Sequence, residues 1–297
     1  MKSAPAMTAA GFRNILFATD FSPAAAQAIP YVKEFAKHYD ANLVAMHVRT
    51  PVVSPMAEPA TWDVYLEAAK AEDAQHRERL LEAFAGIKTQ VMIEEGSIEG
   101  QIQTAMEKNN TDLVVLGTRG RTGLAKLALG SVAEEIFRAV RCPVLTVGPH
   151  ASRSTSRPGQ LHEILYATDF SPESLGASAY AVSLAQEFQA RLVLLHVITE
   201  EHAGDLVCAP ELSASSEKLL RQVVPPDAVA WCKPEFFVKR GKVAETILDF
   251  AKLRETDLIV LGVKPETGVP GASTHLAIAT AHKIVAYAPC PVLTVRH

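Results

Sequence analysis

The chain has 297 residues, 48% of them hydrophobic and 21% charged, which suits two soluble globular domains of ordinary size. Its net charge of −4 excludes a generic polyanion binder such as a DNA-coating protein, so no nucleic-acid partner is expected and any anion site must be local. No apolar run reaches the ~18 residues of a membrane span, and the opening MKSAPAMTAAGF lacks a signal-peptide core; a cytoplasmic protein with no membrane partner is the expectation.

In chain order, a strand is expected at 14–18, closed by Asp20 and by Ser22-Pro23, a helix start with serine as N-cap and proline in the first turn. A helix at 23–38 leads to a strand at 42–48 that ends in His47-Val48. A charge-rich amphipathic helix at 63–85 follows, then a strand at 88–93, a helix at 98–109 and a strand at 112–117. A glycine-rich stretch precedes a helix at 132–140 and a last strand at 143–147. Near-continuous apolar runs alternating with helices predict an α/β fold, an open parallel sheet with helices on both faces.

The series then repeats. ILFATDFSP (15–23) returns as ILYATDFSP (164–172), TDLVVLG (111–117) as TDLIVLG (256–262), and CPVLTV (142–147) as CPVLTV (290–295). Between the copies HASRSTSRPGQ (150–160) reads as a linker, giving domains at 1–149 and 161–297. In the second unit VVPPDAVAWCKP is read as breaking any helix, which leaves a short one at 211–222. Cys142 and Cys290, each before a strand-like run, are read as buried free thiols; His47 and His196, ending matching strands, as core or crevice-edge histidines.

GTRGRTGLAKLALGS (117–131) is the stretch that carries chemistry. Its glycines let backbone N–H groups approach a ligand, Ser131 opens a helix with a positive dipole end, and Arg119, Arg121 and Lys126 attract polyphosphate. Ser131-Val132-Ala133-Glu134 is equally a capping box that satisfies the helix end without a ligand, so spacing alone leaves both readings open. Neither a Walker A sequence nor a dinucleotide fingerprint is present.

ATDFS after the first strand, His-Val closing the second and G-x2-G-x9-G-S after the fourth together resemble the universal stress protein family, twice over. The resemblance implies tandem five-stranded sheets of order 3-2-1-4-5, packed as a pseudo-dimer whose last strands pair across the two domains. It also implies ATP binding by the first unit, with Mg²⁺ accompanying the phosphates. Carried over, Ala18 and Val48 meet the adenine through backbone groups, and Asp20 lies near the ribose. Gly117 and Gly120 shape the ribose and phosphate side, while Gly130, Ser131 and Val132 contact phosphates; Arg119 and Arg121 are added on electrostatic grounds alone. The plain reading of Asp20 is an Asx turn or a helix-start charge.

The second unit keeps Asp169, Val197 and Gly262, but Pro265 replaces a glycine and Ile278-Ala279 replace Gly130-Ser131, so its site is expected to be weak or vestigial. No residue pattern supplies a catalytic base or a metal-ligand set. The function implied is a nucleotide-responsive stress-response protein with an unidentified protein partner. A nucleotide-free interaction scaffold and a slow ATPase or phosphotransferase stay open, as does pairing of whole chains into a homodimer.

Overall fold

The computed structural model describes residues 11–50, 59–118, 133, 136, 140–151, 160–199, 209–263 and 275–296. The first half contains β1 (Asn14–Ala18), α1 (Pro23–His38), β2 (Asn42–Arg49), α2 (Pro59–Ala83), β3 (Thr89–Glu95), α3 (Ile98–Lys108), β4 (Leu113–Gly117) and β5 (Val144–Val147). The second begins with β6 (Glu163–Ala167), α4 (Pro172–Gly176), α5 (Ser178–Glu187), β7 (Arg191–Ile198) and α6 (Ala209–Val223). It continues with α7 (Pro226–Cys232), β8 (Glu235–Arg240), α8 (Val243–Arg254), β9 (Leu258–Val263), α9 (His275–Tyr287) and β10 (Val292–Arg296). Ala133 and Ile136 are helical and buried; the rest of the helix expected at 132–140 lies outside the described residues.

The strands form one ten-stranded sheet in the order β3-β2-β1-β4-β5-β10-β9-β6-β7-β8. Each half therefore carries the order 3-2-1-4-5, with its first strand between its second and fourth. Strands within a half are parallel, and the halves meet through β5 and β10, which run antiparallel. The pairing sets Leu145 opposite Leu293, and the hydroxyls of Thr146 and Thr294 donate reciprocally to the carbonyls of Val292 and Val144 at 3.1 and 3.2 Å. The repeated CPVLTV thus builds a local two-fold, and it covers two edges that would otherwise be open.

Aromatic rings seal one side of this seam. Phe35 lies 5.5 Å from Phe188, His38 stacks on Phe188 at 4.2 Å, and Phe12 stacks on Tyr180. The Tyr39 hydroxyl donates to Glu187, whose other oxygen accepts from Ser183 at 2.8 Å.

Two prolines mark the main departures from expectation. Pro225 does end α6, yet 226–232 is helical rather than broken, because Pro226 stands in the first turn, where a missing N–H costs nothing. The counterpart of α1 is interrupted at Ala177 and becomes α4 and α5. Helix α2 starts at Pro59, earlier than the charge pattern indicated. Both serine caps are present: Ser22 Oγ accepts from the Ala25 N–H at 3.2 Å and Ser171 Oγ from the Ser174 N–H at 3.3 Å.

The repeated Thr-Asp of the fourth strands is structural. Asp112 accepts from the N–H groups of Arg13 and Asn14, and Asp257 from those of His162 and Glu163, so each carboxylate ties the start of its first strand to its fourth. Glu163 is 1% exposed and is held by Arg254 Nη2 at 2.8 Å and Arg191 at 3.3 Å. Cys290 is buried, as expected, whereas Cys142 is only partly so.

Close packing explains two of the glycines. A Cβ at Gly262 would stand 2.2 Å from the Glu173 carbonyl oxygen, and one at Gly117 would stand 2.9 Å from the Ala25 backbone nitrogen. Gly262→Ala and Gly117→Ala should both destabilise the chain, by about 1–3 kcal/mol for such overpacking and more at 262, as read by urea unfolding. Alkaline pH gives a second check. Burial and then the Asp112 charge push the Cys142 thiol from 9.0 up to about 12, and burial pushes the Tyr166 hydroxyl from 10.0 to about 12. The unfolded chain releases these protons first, so their contribution is full below pH 9 and is lost as pH rises to about 12. The melting temperature should fall across that window, and fall less steeply in Cys142→Ala.

Candidate functional site

In open α/β sheets a crevice forms at the carboxyl ends of the strands where strand order reverses. Here β1 lies between β2 and β4, so Asp20, Val48 and Gly117 follow or close three neighbouring strands at the same end of the sheet. Ala18 and Val48 pack on the face that also holds Leu116, Ala133 and Ile136. The structure thus brings Ala18, Asp20, Val48 and Gly117 to the carboxyl ends of three adjacent strands. Arg119, Gly120, Arg121, Gly130, Ser131 and Val132 lie outside the described residues.

The turn after β1 is built by its own side chains. Asp20 Oδ1 accepts from the Ser22 N–H at 2.9 Å, the Asx turn that was its plain reading. Thr19 Oγ1 accepts from the Phe21 N–H at 3.0 Å, and Phe21 adopts a positive φ of 60°. His47 holds the turn from β2: its Nδ1 is 2.7 Å from the Thr19 carbonyl oxygen, which can only accept, so the proton sits on Nδ1. Phe21 stacks on His76 of α2 at 4.2 Å, and His47 meets His76 edge-on at 5.0 Å. Arg49, at the end of β2, reaches Glu95 at 2.7 Å and Asp73 of α2 at 3.4 Å, pinning that helix beside the crevice.

The second half repeats the turn closely. Asp169 Oδ1 accepts from the Ser171 N–H at 3.0 Å, Thr168 Oγ1 from the Phe170 N–H at 3.0 Å, and His196 Nδ1 lies 2.9 Å from the Thr168 carbonyl oxygen. Burial of Asp169 opposes its ionisation, but hydrogen bonds from the hydroxyls of Ser171 and Ser174 and from backbone N–H groups together outweigh it and hold the carboxyl below its ordinary range. Asp169, Val197 and Gly262 line a cavity of about 800 Å³. Its walls are mainly aliphatic, from Leu195, Val197, Ile247, Leu261 and Ile284.

The surroundings of the two crevices differ in charge. The edge strand of the first half ends Glu94-Glu95-Gly96-Ser97, and that of the second ends Lys239-Arg240-Gly241-Lys242. The register is the same, with Arg49 opposite Glu95 and Ile198 opposite Arg240. Sequence reading missed this quartet because it compared only the near-identical motifs; aligning the third strands would have exposed it. Glycines 96 and 241 share the turn, with φ of 140° and 141°, a region closed to most side chains.

Among the described residues no group of three or more His, Cys, Asp or Glu is placed to hold a metal ion, and no helix is long and apolar enough to cross a membrane. Comparison with known proteins accounts for the repeated unit. A universal stress protein of Methanocaldococcus jannaschii is 34% identical over 140 residues, 46% of this chain and 82% of that protein. One of Mycobacterium tuberculosis is 27% identical over 169 residues, 55% of this chain and 57% of its own length. A solved universal stress protein from Archaeoglobus fulgidus shares the fold across both halves, with a TM-score of 0.70 and 19% identity, covering 95% of this chain and 98% of that one. Residues 11–148 and residues 161–296 each match the family model for universal stress proteins, and the chain, built from two such units, belongs to the universal stress protein family.

Proposed function

We propose that the chain is a nucleotide-responsive stress protein whose first half binds ATP or a related adenine nucleotide. The observation that carries this reading is that Asp20 and Gly117 follow adjacent parallel strands, so the cationic glycine-rich stretch 117–131 begins at the crevice mouth. Backbone N–H groups and a helix start in that stretch suit a phosphate chain. Ala18 and Val48 offer an apolar wall for a flat base, and Asp20 a carboxylate for ribose hydroxyls. Mg²⁺ would arrive with the phosphates, which supply most of its ligands.

Occupancy would hold the 117–131 stretch against the crevice and change a surface that a partner protein reads. The second half lacks the equivalent glycines and serine, with Pro265 and Ile278-Ala279 in their places, so ATP should bind there at least about tenfold more weakly.

Calorimetric titration with Mg-ATP tests this. One nucleotide per chain is expected, with a rise in unfolding free energy of about 2.7 kcal/mol at a ligand concentration 100 times Kd. Two equal sites, or none, would overturn the proposal. Asp20→Ala should weaken ATP binding while costing about 1 kcal/mol of stability through the lost turn acceptor; unchanged affinity would remove Asp20 from the site.

A further inference from the structure

We infer that the crevice of the second half is a separate site for a compact organic anion, an apolar body carrying one acidic group that meets the turn between β8 and α8. This does not depend on nucleotide binding in the first half. The cavity of about 800 Å³ lies within the usual range of small-molecule sites, roughly 300–1,000 Å³. Its walls come from Leu195, Val197, Val243, Ile247, Leu261 and Ile284, which favour an apolar body.

The end of the edge strand beside it carries the opposite charge to its first-half counterpart. Across the four matched positions, Glu94, Glu95, Ser97 and Arg49 become Lys239, Arg240, Lys242 and Ile198. Local structure does not call for that change. Ser97 caps α3 by accepting from the Gly100 N–H, whereas Lys242 occupies the same position on α8 with no side-chain cap, and a cation at a helix start is electrostatically unfavourable. Lys242 lines the cavity. Its carboxylate neighbour Glu245, at 4.0 Å, is already held by Lys283 at 2.9 Å, which leaves the three groups with net positive charge. Asp169, on the β6 side of the same cavity, repels an acid placed there and so directs it toward the β8–α8 turn.

The test uses the full chain and two probes of one shape, 2-naphthoate and the neutral 2-naphthamide, titrated calorimetrically at low ionic strength with and without saturating ATP. One naphthoate per chain is expected, with naphthamide at least tenfold weaker and no displacement of naphthoate by ATP. Lys239→Glu, Arg240→Glu and Lys242→Ser together, which import the first half's residues, should abolish the preference for the acid and leave naphthamide binding unchanged. Should that variant not fold, Lys242→Gln alone should cut the preference about threefold. Ile247→Trp, which fills the cavity, should lose both probes. Equal affinity for the two probes, a preference that survives the substitutions, or one-for-one displacement of naphthoate by ATP would overturn the inference.

Discussion

The chain depends on two parallel strands lying side by side although a hundred residues separate them in sequence. β1 and β4 pair from Ile15 opposite Leu113 to Ala18 opposite Leu116. At their amino ends Asp112 takes the N–H groups of Arg13 and Asn14; at their carboxyl ends the start of α1 presses so closely on Gly117 that no side chain fits. β6 and β9 repeat the device with Asp257 and Gly262. Because β2 lies on the other side of β1, the strand ends on either side of this pair lead away in opposite directions and leave a crevice between them. Asp20 and Asp169 open their crevices only because this adjacency is locked from both ends.

Duplication then set two such strand reversals in one continuous sheet. The seam of β5 and β10 is short, but its reciprocal threonine bonds and the ring cluster around Phe188 join the halves through both backbone and core. Neither half has to repeat the other's ligand chemistry. The turns after β1 and β6 stayed nearly identical, including the positive φ of Phe21 and Phe170 and the histidine bonded to each turn. The edge-strand ends diverged to opposite charge. A turn that shapes the backbone tolerates little change, because each of its hydrogen bonds fixes a local dihedral; charges at an edge-strand end are free to vary in fold terms, because water screens them.

Glycines 117 and 262 illustrate how one residue answers two demands. In the sequence they suggest close approach of a ligand. In the fold each is already required by the first helix of its half, at α1 and α4, so their presence in both halves does not by itself signal a ligand. Asp20 is similar: it stands just beyond the carboxyl end of β1, and its carboxylate closes the Asx turn. In sequence, the stretches after the fourth strands and the ends of the edge strands, 94–97 against 239–242, are where the two halves differ in charged and glycine residues.

Much of this was legible in the chain itself. Apolar runs of period near one alternating with helical segments imply a parallel sheet, and near-identical motifs in the same order imply a duplicated unit, since both follow from local patterns that survive without neighbours. Serine before proline marked α1 and α4 for the same local reason. The helix at Pro226–Cys232 departs from the sequence expectation because a proline in the first turn starts a helix as readily as one in its interior breaks it. What the tertiary structure alone decided is long-range: that Asp112 hooks β1, that His76 of α2 stacks on Phe21, and that Lys242 comes to the rim of a cavity shared with Asp169. Those relations join residues far apart in sequence, and their energies come from burial and proximity that no local pattern encodes.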